Sequence, residues 1–395
     1  MKYVYKKHPS RMASLVVALG AGSRVEFDTK YPKGMAHFVE HIVFKGTENF
    51  ESKDLLWKIS LAGGSCNAFT DKDLVCYHIS LPEENIEVAF QCLSEIVNRP
   101  TFLDKEIKKE KDVVCQEIKM YQDDDYDLIE QEISRHVFKD SSLGSPICGF
   151  EESVKSITKS DLKDFYKQFY GFDNQLIVLS ASNDYTNLLE KYFGVPNNIL
   201  TWPTKNPVKY NIPLNTVVER RGQSQNIIQI SFGGPNLHNF TKQDAAKLRV
   251  FNYIFGGNES SRLFIKIRED MGLVYGIHSS LEENMDGSLF EIVTSTEPEN
   301  IDAVLEEINN QIELMTESIL DTELECAKNK LKSTEYTAND SSLDAACRII
   351  DEVFYGEVGT EEYLSNIDKV TIDEIKDVAK KIFGENRYQI IGCNK

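Results

Sequence analysis

Long apolar runs are absent from this chain of 395 residues. No stretch approaches the ~20 consecutive apolar residues that a membrane-crossing helix requires, which excludes a helical integral membrane protein. The opening MKYVYKKHPSRMASL lacks an apolar segment followed by small residues. No secretory signal is therefore expected, and Met1–Tyr5 reads as an opening β-strand. Basic residues are scarce beside acidic ones, 44 Lys and Arg against 63 Asp and Glu, for a formal net charge of −19 at pH 7. Neutralising phosphates takes clustered cations, so nucleic acid is excluded as a partner. An acidic surface instead attracts basic peptides and speeds their arrival.

Paired cysteine motifs are missing as well. Cysteines 66, 76, 92, 115, 148, 326, 347 and 393 show neither a C-x-x-C nor a regular spacing. In a chain this long the pattern implies reduced, buried thiols and a cytoplasmic setting. No cysteine comes with a matching histidine signature, which argues against a thiol protease. Cys115 reads as packing.

Histidine is the scarcest useful ligand, with seven in the whole chain, yet two of them stand four apart in Gly34-Met-Ala-His37-Phe-Val-Glu40-His41-Ile-Val-Phe-Lys-Gly46. On a helix that spacing stacks both imidazoles on one face, where they can grip a single ion. Glu40 lies on the flank of the same face, where a carboxylate can meet a metal-activated water. Two imidazoles and a carboxylate suit zinc, with a fourth position left for water. The pattern H-x-x-E-H is the reverse of the H-E-x-x-H motif by which a helix can hold zinc.

A third ligand is expected from Lys105–Asp124, a long helix whose apolar side carries Val113, Val114 and Ile118. Glu110 and Glu117 are seven apart, hence on one face two turns apart. One can ligate the metal while the other accepts a hydrogen bond from a ligand imidazole and fixes its tautomer. Their spacing does not say which does which.

With 41% hydrophobic and 27% charged residues, the chain can bury large cores and most simply holds two domains. Ala13–Gly20 reads as a strand, Ser52–Ala62 as a helix capped by Ser52 and stopped at Gly63-Gly64, and Asn67–Thr70 and Leu74–Leu81 as antiparallel strands. Helices follow at Glu84–Val97, Asp127–Phe138 and Lys159–Tyr170, then a buried strand at Gln175–Ala181. The segment Pro196–Pro213, with four prolines, marks a boundary. Beyond it the order restarts. Ile227–Phe232 is a strand, Gln243–Phe255 a helix and Ser260–Arg268 a short helix. Leu273–Ser279 and Gly287–Ser295 are strands, followed by three or four helices and a last strand at Tyr388–Gly392. The expected fold class is α+β, a duplication in which only the first copy carries H-x-x-E-H. The divisions are 1–195, a linker at 196–215, and 216–395.

Six segments carry a resemblance: GAGSRVEF (Gly20–Phe27), GMAHFVEHIVFKGT (Gly34–Thr47), GGSCNAFT (Gly63–Thr70), EKDVVCQEI (Glu110–Ile118), GSPICG (Gly144–Gly149) and SSRLFIKIREDMGLVYGI (Ser260–Ile277). Through them the chain resembles the pitrilysin/insulinase family of zinc metallopeptidases, the inverzincins, and within it the mitochondrial and bacterial processing-peptidase subunits. The resemblance implies two related halves, each a sheet flanked by helices. It implies one zinc per chain held by His37, His41 and Glu117, with Glu110 as the accompanying carboxylate and Glu40 as general base. Arg268 and Tyr275 match the pair that family members use to hold the peptide backbone and polarise the scissile carbonyl, and both residue types are suited to it as donors. Asn67 and Ala68 fall on the strand that family members present to an extended peptide, where an exposed edge can pair with a substrate backbone. The implied activity is that of a zinc metalloendopeptidase processing or degrading peptides. A homodimer is expected, since family relatives of this length work in pairs and closed two-fold dimers are the commonest oligomer. The alternative is a non-catalytic scaffold or peptide-binding subunit, a class that has usually lost the motif residues retained here.

Overall fold

Strands, not helices, set the frame, because the most apolar runs of the chain are short and β-branched. A computed structural model of the chain describes residues 1–202, 208–220, 225–238, 240–241 and 244–394. The five strands of the first half are β1 (Lys2–Lys7), β2 (Met12–Leu19), β3 (Ser65–Thr70), β4 (Val75–Pro82) and β5 (Gln175–Ala181). They form one sheet in the order β1-β5-β2-β4-β3. β1 runs parallel to β5, and every other pairing is antiparallel. The central strand MASLVVAL is buried along nearly its whole length, as expected of a strand covered on both faces. β3 lies at an edge and alternates exposed with half-buried residues.

The helices of this half are α1 (Met35–Val43), α2 (Ser52–Leu61), α3 (Ile86–Asn98), α4 (Asp104–Asp123), α5 (Asp125–Val137), α6 (Glu151–Ser156), α7 (Lys159–Phe169) and α8 (Thr186–Tyr192). The second half repeats the plan. Its strands β6 (Leu214–Arg220), β7 (Asn226–Gly233), β8 (Ile277–Glu283), β9 (Ser288–Thr296) and β10 (Asn386–Asn394) form a sheet in the order β6-β10-β7-β9-β8. Again the first strand is parallel to the last and the rest are antiparallel. Its helices are α9 (Pro235–His238), α10 (Ala245–Phe255), α11 (Ile301–Glu317), α12 (Asp321–Asp340), α13 (Ser342–Phe354), α14 (Thr360–Lys369) and α15 (Ile372–Phe383). The duplication reaches helix lengths: α4 and α12 each have 20 residues, and the helices after them, α5 and α13, each have 13. The fold is therefore the two-half α+β arrangement expected.

The chain divides into two compact units that are not contiguous in sequence. One comprises Met1–Met120, Ser145–Lys205 and Thr337–Glu357, the other Tyr121–Gly144, Asn206–Tyr336 and Val358–Lys395. Each half thus lends one helix: α13 packs on β2 and β5 of the first sheet, and α5 on β10 and β7 of the second. In the second unit Ile129, Ile133 and Val137 of α5 bury themselves with Ile227, Leu289, Tyr388 and Ile390. The contiguous division expected at 196–215 is not the division of these units, because the helix covering one face of each sheet is contributed from the other half of the sequence.

Smaller differences have local causes. α2 begins at Ser52 itself, with Glu51 at the cap position, while Gly63 at φ +73° does end it. The short helix expected at Ser260–Arg268 is a π-helical turn over Phe264–Asp270. The strand expected from Leu273 starts only at Ile277, because the Leu273 N–H still donates to the Ile267 carbonyl at 3.1 Å. Five helices rather than three or four follow β9, and β6 begins at Leu214, inside the expected linker. Residues 203–207 of that linker, and Gln243 at the start of an expected helix, lie outside the described residues. Among the described residues no helix is long and apolar enough to cross a membrane.

Candidate metal centre

The H-x-x-E-H motif occupies α1, and its start is fixed from outside the helix. Gly34 sits at the cap position with φ +86°, and a Cβ there would overlap the Cys148 carbonyl. No side chain of the cap residue closes the helix. Instead the buried carboxylate of Glu26 accepts the N–H groups of Gly34 at 2.8 Å and Ala36 at 2.7 Å. These are donors a helix start leaves unpaired, and the helix dipole favours a negative charge there. Burial nevertheless pushes the Glu26 carboxyl up to about 7, against the pull of the two backbone bonds.

One turn of α1 stacks His37 and His41 with ring centroids 4.5 Å apart. α4 presents the two carboxylates. Glu117 lies 3.6 Å from His37 Nε2 through Oε1 and 3.5 Å from His41 Nε2 through Oε2. Glu110 is buried deeper, 2.9 Å from His41 Nδ1, and its second oxygen pairs with Lys45 Nζ at 3.0 Å. Spacing within α4 left open which glutamate faces the metal position, and the resemblance implied Glu117. The geometry puts Glu117 with both Nε2 atoms and Glu110 behind His41.

Burial, helped by the neighbouring His41, pulls the His37 imidazole down to about 3, so its nitrogens are neutral and suited to a metal at ordinary pH. Burial also acts to lower His41, but the Glu110 bond and the charges of Glu40 and Glu117 outweigh it and raise the group. Glu110 is pushed up by burial and held below its usual range by the bonds from His41 and Lys45. His37 Nδ1 is buried with no hydrogen-bond partner, so a carboxylate orients only the second imidazole.

One ligand atom each from His37, His41 and Glu117 lies within 4.8 Å of the others. A tetrahedral zinc about 2.0–2.1 Å from its ligands sets donor atoms roughly 3.3 Å apart. The spacings from the two imidazoles to Glu117, 3.6 Å to one carboxylate oxygen and 3.5 Å to the other, are close to that figure, and two imidazoles with a carboxylate suit zinc. The residues present fit the ion.

Glu40 stands beside this cluster on α1. Its Oε2 accepts the Thr70 hydroxyl at 2.8 Å. Burial raises the Glu40 carboxyl, and the Thr70 bond and His41 partly counter the shift. A carboxyl held toward neutral pH beside a metal position can receive a proton and give it back.

The other expected residues lie as follows. Asn67 and Ala68 are on the edge strand β3, where the exposed Asn67 accepts the Ala68 N–H through Oδ1 at 2.9 Å. Arg268 and Tyr275 belong to the second unit and are brought together there. The Arg268 guanidinium lies 4.6 Å from the Phe264 ring centroid and 5.5 Å from that of Tyr275, which is 83% exposed. Cation–π contacts of this kind hold a guanidinium while leaving N–H donors at its edge. Sequence reasoning gave no role to Glu26, Lys45 or Thr70. Each had a faint signal: Glu26 and Thr70 lie in segments that carry the resemblance, and Lys45 stands four residues after His41.

The family model described as Insulinase (Peptidase family M16) matches residues 2–150, and that of the Peptidase M16 inactive domain matches residues 156–331. An uncharacterized zinc protease of Rickettsia felis is 30% identical over 384 residues, covering 94% of this chain and 90% of its own length. The chain belongs to peptidase family M16. Another M16 relative, the uncharacterized zinc protease YmxG of Bacillus subtilis, is 28% identical over 98% of this chain and 94% of its own length. Among solved structures, a protease from Helicobacter pylori matches with a TM-score of 0.87 at 20% identity, over 100% of this chain and 96% of that one. A Pseudomonas fluorescens peptidase M16 inactive domain gives the same TM-score at 18% identity. The stretch matched as an inactive domain holds only two histidines, His238 and His278, too far apart in sequence to share a helix turn.

Proposed function

We propose that this M16 chain is a zinc-dependent endopeptidase acting on extended peptides. The observation that carries the reading is the convergence of His37, His41 and Glu117 beside a carboxylate, Glu40, on the same helix. His37, His41 and Glu117 would hold a zinc ion, which would supply Lewis acidity toward a water and the scissile carbonyl. Glu40 takes the proton from the attacking water and passes it to the leaving amine. Glu110, backed by Lys45, would keep the His41 proton on Nδ1 and so make Nε2 the ligating atom. The substrate adds as a strand to the free edge of β3, past Asn67 and Ala68, so backbone bonds supply affinity with little demand on side chains.

Arg268 and Tyr275 serve as the clamp, Arg268 holding the peptide and the Tyr275 hydroxyl donating to the developing oxyanion. We further propose a homodimer in which the clamp of one chain serves the metal centre of the other. A cytoplasmic setting and a preference for basic peptides complete the reading, the second resting on the net charge of −19.

The deciding experiment pairs wild type with Glu40→Gln on an unstructured peptide library. The amide keeps the shape of the carboxylate but cannot take the proton. About one zinc per chain should remain, with turnover lower by at least ~10²-fold. Near wild-type turnover in Glu40→Gln would end the general-base assignment, and cleavage indifferent to chelator would end the zinc reading. Mass measurement in solution tests the dimer, which a fully active monomer would contradict. Matched peptides carrying Lys or Glu beside the cut, compared at low and high salt, test the charge preference, which should fade as salt rises.

A further inference from the structure

We infer that Thr70 is the positioning residue of the general base: by holding one oxygen of Glu40 it fixes which way the carboxylate faces. The inference rests on the proposed role of Glu40 and adds the residue that makes the role precise in space. Glu40 reaches its place on a side chain with three rotatable bonds, and a half-buried carboxylate without a fixed partner samples several orientations. The Thr70 hydroxyl donates to Oε2 at 2.8 Å. That leaves Oε1 as the oxygen to receive a proton.

The donor is suited to the task. Threonine is branched at Cβ and stiff at χ1, so its hydroxyl moves with the backbone that carries it. That backbone is the last residue of β3, paired across the sheet with Val75. Strand alternation puts Thr70 on the same side of the sheet as Ala68 and opposite to Asn67. The base is thus oriented by the very strand whose free edge offers itself to a peptide. A hydrogen bond of this kind acts on the reacting geometry and not on metal affinity, because its acceptor is Glu40, which lies outside the His37, His41 and Glu117 cluster.

The test uses Thr70→Val and Thr70→Ser in the full-length, zinc-loaded protein. Valine keeps the branched shape and the strand preference while removing the donor. Its kcat should fall roughly 10–100-fold, the worth of one hydrogen bond to a charged group. KM and the zinc content should stay at the wild-type values. Thr70→Ser, which keeps the hydroxyl, should recover most of the lost kcat. An unchanged kcat in Thr70→Val overturns the inference. So does a loss carried by KM, which would make Thr70 a substrate contact, or a loss of zinc with activity, which would make it a structural support. Glu40→Gln measured alongside separates the two levels. If Glu40→Gln is inactive and Thr70→Val is normal, only the positioning role fails; if Glu40→Gln is active, the base assignment itself is wrong.

Discussion

Glu110 and Glu117 are chemically identical, share one face of one helix, and do different work because of what each meets. Glu117 faces two Nε2 atoms, whereas Glu110 meets a ring Nδ1 and the Lys45 ammonium. Alanine at Glu117 should therefore abolish tight zinc binding. Alanine at Glu110 should weaken it by roughly 10–100-fold without abolishing it, the usual scale for a group that orients a ligand. Competition with a chromophoric chelator measures both, and equal losses would contradict the division of labour. A second residue-scale prediction concerns Glu291 on β9. It is buried, accepts Gln229 Nε2 at 2.8 Å and Ser231 Oγ at 3.0 Å, and its carboxyl is pushed up to about 8 by burial and by the charges of Glu282 and Glu130. Because the folded value lies above the ordinary carboxylate value, the folded state holds the proton more tightly. The resulting stability is full below about pH 4.5 and is lost as pH rises toward 8. Glu291→Gln keeps the same acceptor and has nothing to ionise. Denaturation from pH 5 to pH 9 should show wild type losing stability relative to Glu291→Gln up to about pH 8 and holding level above it; a constant difference would show that Glu291 is ionised throughout.

At the scale of elements, the centre depends on how α1 is set down. Nine residues make a helix too short to persist by itself, so its place is imposed by tertiary contacts. Glu26 holds its first turn, and the loop around Cys148 closes on Gly34 so tightly that no Cβ fits. Gly34→Ala meets both obstacles, a left-handed backbone and a steric overlap. Together these should cost about 2–4 kcal/mol of stability. Zinc should be lost in parallel, because a shift of α1 moves both imidazoles away from α4. Urea denaturation and metal content measure the two effects. Gly272→Ala is a control of the same kind, since Gly272 has φ +64° but open space around its Cβ position, so it should show only the smaller backbone cost.

For the whole molecule, proposed ligands drawn from α1 and α4 mean that an ion held by them would bind the folded chain and not the unfolded one. Zinc at about 100 times its dissociation constant then adds about 2.7 kcal/mol, which in a unit of this size raises Tm by roughly 5–10 °C. The rise should vanish with chelator and in His37→Ala, as read by differential scanning calorimetry. A rise that persists in His37→Ala would place the stabilising ion elsewhere. The two sheets repeat each other strand for strand, yet among the described residues the His37, His41 and Glu117 cluster stands in the first unit only. The second copy keeps the architecture and carries the neighbouring Arg268 and Tyr275.

His37, Glu40 and His41 were legible in the sequence because all three stand within one helical turn, and helix geometry fixes their directions whatever surrounds them. The shared face of Glu110 and Glu117 was legible for the same reason. The restart of strand and helix order after Pro213 revealed the duplication, since each sheet depends on short apolar runs in a fixed succession. What tertiary structure decided was every relation between elements. Which glutamate reaches the imidazoles depends on where α4 lies against α1, and no spacing within α4 contains that. Thr70 met Glu40 only because β3 passes beside α1, thirty positions away in sequence. The lending of α5 and α13 was hidden for a related reason: an amphipathic helix has an apolar face wherever it packs, and that face does not name the sheet it will cover.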